Sequence, residues 1–142
     1  MLSAAGQGGA AVLPVIDTKI LLLRHERHAT RDKHWEIPRG FAAGGETPVE
    51  TARREIVEEI GIPEPEIIDI GSVHPDPGAS NVHKRLYFAR LTGVGNVETN
   101  EGIGELITVT VDEFDAMLRA DEITDSFTLA AVLQARVRGL IG

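Results

Sequence analysis

Glu55, Glu58 and Glu59 stand at positions i, i+3 and i+4. On a helix these three carboxylates point to the same side. Like charges there repel by a few tenths of a kcal/mol per exposed pair. A divalent cation reverses the sign of that problem. Hard ions such as Mg²⁺ prefer carboxylate oxygens and usually also keep waters and substrate phosphates. Arg54 can offset part of the repulsion by pairing with Glu50 or Glu58. A solvated acidic face would account for three acids on their own. Two neighbouring features favour the metal. Gly40 to Gly45 holds three glycines, so backbone can approach a ligand closely there. The same stretch leads into another acid, Glu46, and seven of the 22 acids fall between Glu46 and Glu66.

The element that must carry these groups is the clearest helix in the chain. Thr47 is a good N-cap, Pro48 fits the first helical position, and Glu50 completes a capping box with Thr47. Val49, Ala52, Ile56 and Ile60 recur at helical spacing and form one apolar face. The carboxylates are therefore expected to point away from the core, toward a cleft or solvent. Gly61 ends the helix, and Pro63 and Pro65 stop continuation.

Around it, Ala11 to Ile16 and Ile20 to Leu23 read as strands joined at Asp17-Thr18-Lys19. Arg24 to Lys33 reads as a polar loop, and Trp35 to Pro38 as a short extended piece. Ile67 to Val73, Arg85 to Leu91 and Leu106 to Val111 read as strands, separated by loops at His74 to Asn81 and Gly93 to Gly104. Asp112 to Arg119 and Ser126 to Arg138 read as helices, the second with Leu129, Val132, Leu133 and Val137 on its apolar side. Strands interrupted by a central helix and closed by terminal helices indicate a mixed α/β sandwich.

The bulk properties narrow the class. With 142 residues, 42% hydrophobic and 25% charged, the chain is expected to form one domain over 1–142 with a real core. Zero cysteines exclude disulfides and thiolate metal sites, so a metal must be held by oxygen or imidazole. A net charge of −8 argues against bulk nucleic-acid binding. No apolar run approaches the ~20 residues needed to span a bilayer. No Lys or Arg precedes Lys19, so the basic start of a signal peptide is missing and a cytoplasmic protein is expected.

Gly40, Glu46, Arg54, Glu55, Ile56, Glu58, Glu59, Gly61 and Ile62 resemble a complete Nudix box: Gly, five residues, Glu, seven residues, Arg-Glu-aliphatic, one residue, Glu-Glu, one residue, Gly-aliphatic. Chance agreement at seven fixed and two aliphatic positions is on the order of one in 10⁹ per start site. The resemblance implies an α/β/α sandwich with a mixed sheet that hydrolyses a nucleoside diphosphate linked to another moiety, using Mg²⁺ or Mn²⁺. It implies Glu55, Glu58 and Glu59 as metal ligands, helped by the Gly40 carbonyl, with Glu58 central to catalysis. Glu46 and Arg54 would hold loop and helix together.

Residues 9–40 resemble the ADP-ribose pyrophosphatase branch, through Leu23-Arg24-His25-Glu26-Arg27-His28-Ala29 and Trp35-Glu36-Ile37-Pro38-Arg39-Gly40. Pro77, 15 residues after Ile62 in a Pro-Gly-x-Ser run, looks like this branch's mark, and the tail is loosely similar. The chain departs from the branch at Arg39, where Ala is usual, and at His25-Glu26, where Gln-Tyr is usual. Branch members often carry an N-terminal β-region that helps form a dimer and grips adenine; here few residues precede Ala10. The family is the sole ground for expecting a homodimer.

By the same analogy Glu105 or Glu101 completes the metal site or serves as general base, with Glu105 preferred. Arg27 and Arg39 suit phosphate, because guanidinium matches its geometry; surface arginine is the alternative. Glu36 borders the metal site in this reading. Trp35, Tyr87 and Phe41 are candidates to stack a base, although strand aromatics are more often core. The histidines show no ligand spacing; His28 and His83 are the two to place near substrate. The first expected function is hydrolysis of ADP-ribose to AMP and ribose 5-phosphate. The alternatives are a pyrophosphatase for dinucleoside polyphosphates or nucleoside triphosphates, and a non-catalytic nucleotide-sensing module.

Overall fold

The computed structural model describes residues 8–26, 33–63, 65–79, 81–93 and 103–142. In chain order the elements are β1 (Ala10–Ile16), β2 (Lys19–Glu26), β3 (Lys33–Glu36), β4 (Arg39–Gly40), α1 (Pro48–Ile60), β5 (Glu66–Val73), β6 (Lys84–Leu91), β7 (Ile103–Val109), α2 (Val111–Arg119) and α3 (Ser126–Val137). The strands form one mixed sheet in the order β3-β2-β1-β6-β5, with β4 on β1 and β7 on β2. β1 runs parallel to β6, and every other pairing is antiparallel.

Two apolar clusters lie on opposite faces of the sheet. On one, Ala52, Ile56 and Ile60 of α1 pack on Val12, Leu21, Leu23 and Tyr87. On the other, Phe114 of α2 and Phe127, Ala131 and Ala135 of α3 pack on Leu13, Leu22, Leu86 and Phe88. β1, buried throughout its first six residues, is the shared floor, which is why its sequence reads as a continuous apolar run. The result is the α/β/α sandwich expected from the element pattern.

α1 begins and ends where its caps predict. Thr47 and Glu50 form the reciprocal capping box, and Gly61 closes the helix in the left-handed region at φ 83. α2 has a second such box, Thr110 with Glu113. That cap ends β7 at Val109, two residues before the expected boundary.

Three expectations are corrected. Residues 24–26 are strand and not loop, because the polar run Arg24-His25-Glu26 is held by backbone pairing to β3 and β7. β7 likewise starts at Ile103, inside the expected loop. The buried side of α3 is Phe127, Thr128, Ala131, Val132 and Ala135, whereas Leu129, Leu133 and Val137 are exposed. Two alanines let the helix sit close to the sheet, and Phe127 fills the space beside them. The larger aliphatics at i, i+4 and i+8 are left facing outward.

Candidate active site

Arg54, on the middle turn of α1, organises the box. Its Nε donates to Glu46 Oε2 at 2.9 Å, and its Nη2 donates to Glu46 Oε1 and to the Phe41 carbonyl, both at 3.0 Å. Its Nη1 donates to Glu55 Oε1 at 3.1 Å and Glu58 Oε2 at 3.4 Å. Five N–H donors thus meet five acceptor contacts in the fork geometry only arginine supplies. The expected pairing with Glu58 is present. The alternative with Glu50 is not, because Glu50 is spent on the Thr47 cap.

Glu46 also accepts from the Ala43 N–H at 3.0 Å and the Thr51 hydroxyl at 2.7 Å. These bonds, Arg54's first, hold its carboxyl down at about 2. A carboxylate so fully engaged ties the glycine loop to the helix and has no capacity left as a base. A depressed folded-state pKa contributes stability above the unfolded value of about 4.5, and that contribution is lost as pH falls toward about 2. Thermal melts of Glu46→Gln should show a lower midpoint than wild type at pH 6–7, with the gap closing through this window. A constant gap would mean that Glu46 acts through packing and not through its charge.

Glu55, expected with its neighbours to face a cleft or solvent, is packed against the glycine loop. It is 8% exposed, and its Oε1 lies against Gly40, where an added Cβ would sit 2.1 Å from it. Burial raises its pKa, opposed chiefly by Arg54. Glu58, by contrast, is 55% exposed at its side chain. Glu59 lies one residue further along the same helix face.

The other sequence candidates fall elsewhere. Glu36 is buried and pairs across the ladder with Leu23, on the face α1 covers. Arg39 is held by Asp125 and lies 3.6 Å from Glu36 Oε2, with its guanidinium over the Phe127 ring. Asp125 in turn caps α3 through Thr128, so Arg39 is an inter-element clamp in this arrangement. Glu105 pairs with Arg24 at 3.2 Å. Leu106 packs on the α1 face while Ile107 packs on the other. Alternation then sends Glu105 to the face away from α1, and the structure does not bring it to the box. Tyr87 is buried and has no free ring face, Phe41 is half exposed, and Arg24 covers Trp35. His83 stacks on His74. Arg27, His28 and Glu101 lie outside the described residues.

One residue escaped the sequence reading. Lys84 is 3% exposed, and its ammonium donates to the Gly40 carbonyl at 3.3 Å. Burial lowers its pKa to about 8, with Arg39 adding to the shift and Glu55 opposing it. The available signal was parity: Lys84 shares its side of β6 with Leu86 and Phe88, both core.

Among the described residues no three His, Asp or Glu side chains converge as a ready cluster. The donor chemistry nevertheless fits a hard divalent ion. Gly40 lacks the Cβ that would collide with Glu55 Oε1, so the desolvated carboxylate lies against the Gly40 backbone. Arg54 holds Glu58 beside them. Every donor is oxygen, as Mg²⁺-type ions require. Next to this loop opens a cleft of about 420 Å³, lined in part by Ala42, Glu46, Ser72, His83 and Arg85.

The NUDIX domain profile matches residues 6–130. The chain belongs to the Nudix family. It is a Nudix pyrophosphohydrolase, acting on a diphosphate bond of a nucleotide derivative, and Nudix hydrolases are generally divalent-metal dependent. Among curated relatives it is 31% identical over 131 residues to the methanol dehydrogenase activator of Bacillus methanolicus, covering 88% of this chain and 70% of that one. It is 28% identical over 130 residues to the ADP-ribose pyrophosphatase of Bacillus subtilis (strain 168), with the same coverage. It is 29% identical over 133 residues to that of Mycobacterium tuberculosis (strain ATCC 25618 / H37Rv), covering 89% of this chain and 63% of the relative. A solved ADP compounds hydrolase superposes with a TM-score of 0.78 at 16% identity, over 94% of this Nudix chain and 74% of its own. That likeness shows the shared fold. No helix among the described residues is long and apolar enough to cross a membrane.

Proposed function

We propose that this protein hydrolyses ADP-ribose to AMP and ribose 5-phosphate, with Mg²⁺ held by Glu55, Glu58, Glu59 and the Gly40 carbonyl. The observation that carries the reading is the Arg54 fork, which ties Glu55 and Glu58 of α1 to Glu46 and the glycine loop. Two ADP-ribose pyrophosphatases among the relatives support the substrate.

A bound divalent ion supplies charge neutralisation of the diphosphate and a lowered pKa for the attacking water. The chain's part is positioning. Water attacks one phosphorus, the bridging P–O bond breaks, and the leaving phosphate keeps the bond's electron pair. The attacking water's proton needs a carboxylate acceptor. Glu58 is the exposed box carboxylate suited to take it, and Glu105 would need the sheet end to rearrange. Arg54 keeps Glu55 and Glu58 from drifting apart, and Glu46 fixes Arg54. Arg27 and Arg39 remain the proposed phosphate contacts, Arg39 after release from Asp125; Glu36 borders the site. The cleft beside Glu46 has the volume of a small-ligand pocket and is the proposed seat of one end of the substrate. The proposal also takes 1–142 as one cytoplasmic domain forming a homodimer, with no nucleic-acid partner, in keeping with the net charge of −8.

The test is turnover of a panel under Mg²⁺: ADP-ribose, sugar nucleotides, NADH, dinucleoside polyphosphates and nucleoside triphosphates. AMP release from ADP-ribose, at the highest kcat/KM of the panel, is expected. Preference for a polyphosphate would move the assignment to the alternative pyrophosphatase reading. Ligand binding without any turnover would make the protein a sensor.

A further inference from the structure

Lys84 is a charged group buried where burial is costly. The ion pairs of the described residues do not include it. Its ammonium is instead satisfied by three weaker partners. It donates to the Gly40 carbonyl at 3.3 Å, and it lies 3.8 Å from the centre of the Phe41 ring and 5.7 Å from that of Phe127. The field of the buried Glu55 reaches it. Ring faces attract a cation, so this is a cage built for a positive charge. Among the described residues its one hydrogen-bond acceptor is the carbonyl that the metal-site reading gives to the divalent ion.

Two cations on one carbonyl repel, and more strongly at a partly desolvated site than in water. A divalent ion arriving at Gly40 must therefore bind against the charge of Lys84 or displace its ammonium. A diphosphate brings negative charge to the same place and offsets that penalty. We propose that Lys84 competes with the metal at the Gly40 carbonyl, so that a divalent ion binds weakly alone and tightly only together with a diphosphate. The effect is a coupling free energy, so each ligand must strengthen the other to the same degree. The benefit is a metal site that stays largely empty until substrate is present. The inference rests on the metal-site reading above.

The experiment titrates Mn²⁺ into wild type, Lys84→Met, Lys84→Gln and Lys84→Arg, reading free ion by electron paramagnetic resonance. Each titration is repeated with methylenediphosphonate, a diphosphate without a hydrolysable bridge, after subtraction of a protein-free control. Circular dichroism melts check that each variant is folded. Met and Gln should each tighten Mn²⁺ binding by about tenfold without the diphosphonate, with a smaller gain in its presence. Arg should stay near wild type. Gln keeps a donor for the carbonyl without the charge, and so separates the two roles. Weaker binding in Met restored by Gln would make Lys84 a simple prop for the Gly40 carbonyl and overturn the proposal. Unchanged affinity in Met and Gln would also overturn it. Wild type that binds no Mn²⁺ under either condition would take down the metal-site reading itself, which is a different result from either.

Discussion

Glu58→Gln is expected to lower kcat/KM by about 10²–10⁴-fold while leaving the melting temperature within about a degree of wild type. The Glu58 side chain is 55% exposed, and among the described residues it pairs with Arg54 Nη1 at 3.4 Å. Exposed ion pairs of this kind contribute little to stability. The amide is nearly the same size and stays on the same helix face. What it loses is the negative charge and the capacity to take a proton or bind a hard cation. Glu50→Gln is the matched control, about two helix turns away on α1. Glu50 accepts from the Thr47 N–H at 2.8 Å and serves the cap, so its loss should lower the melting point slightly and spare activity. Paired measurements of kcat/KM and calorimetric melting decide the matter. Equal activity losses in the two variants would mean that helix integrity is being read, and full activity in Glu58→Gln would remove Glu58 from the chemistry.

What could be read in the sequence is what local patterns determine. The α1 boundaries were legible because caps are short-range: Thr47, Pro48, Glu50 and Gly61 act within one turn of themselves. The box was legible because its spacing is fixed by that single helix and its loop. Pattern failed where tertiary pairing overrides local character. Arg24-His25-Glu26 looks like a loop by composition, yet β3 and β7 flank it and extend β2 through it. α3 has apolar residues all round, so its periodicity could not say that Ala131 and Ala135, and not Leu133 and Val137, face the sheet. Inside the site the same division holds. The sequence placed Glu55, Glu58 and Glu59 on one face, but only the return of β4 against α1 buries Glu55 and exposes Glu58. Lys84 is 44 residues from Gly40 and reaches it because β6 runs parallel to β1 while β4 pairs with β1. Glu105 was favoured by analogy along the chain, and strand alternation turns it to the other face.

Gly40→Ala carries the second large effect, and its contrast with Gly9→Ala shows why. An added Cβ at Gly40 would meet Glu55 Oε1 at 2.1 Å and Glu55 Cδ at 2.8 Å. Gly40 is not among the glycines at positive φ, so its backbone accepts alanine without strain. The clash is with the far end of a flexible side chain, which can swing aside. The fold should therefore survive with a melting temperature within a few degrees of wild type. The displaced Glu55 would leave both Arg54 and the Gly40 backbone, and a loss of about 10–100-fold in metal affinity and in kcat/KM is expected. At Gly9 the obstacles are backbone: Gly40 O at 2.2 Å and Phe41 Cα at 2.9 Å, with φ at +142. Neither can move without moving β4. Gly9→Ala should cost about 1–3 kcal/mol of stability and shift the same carbonyl as a by-product. Calorimetric melts and Mn²⁺ titrations on the two variants separate these mechanisms. Gly40→Ala should keep its stability and lose the ion, whereas Gly9→Ala should lose both together. Should Gly40→Ala retain wild-type Mn²⁺ affinity and turnover, the close approach of Gly40 to Glu55 would have no part in shaping the site. The missing side chain would then serve only to let the loop pass over the helix.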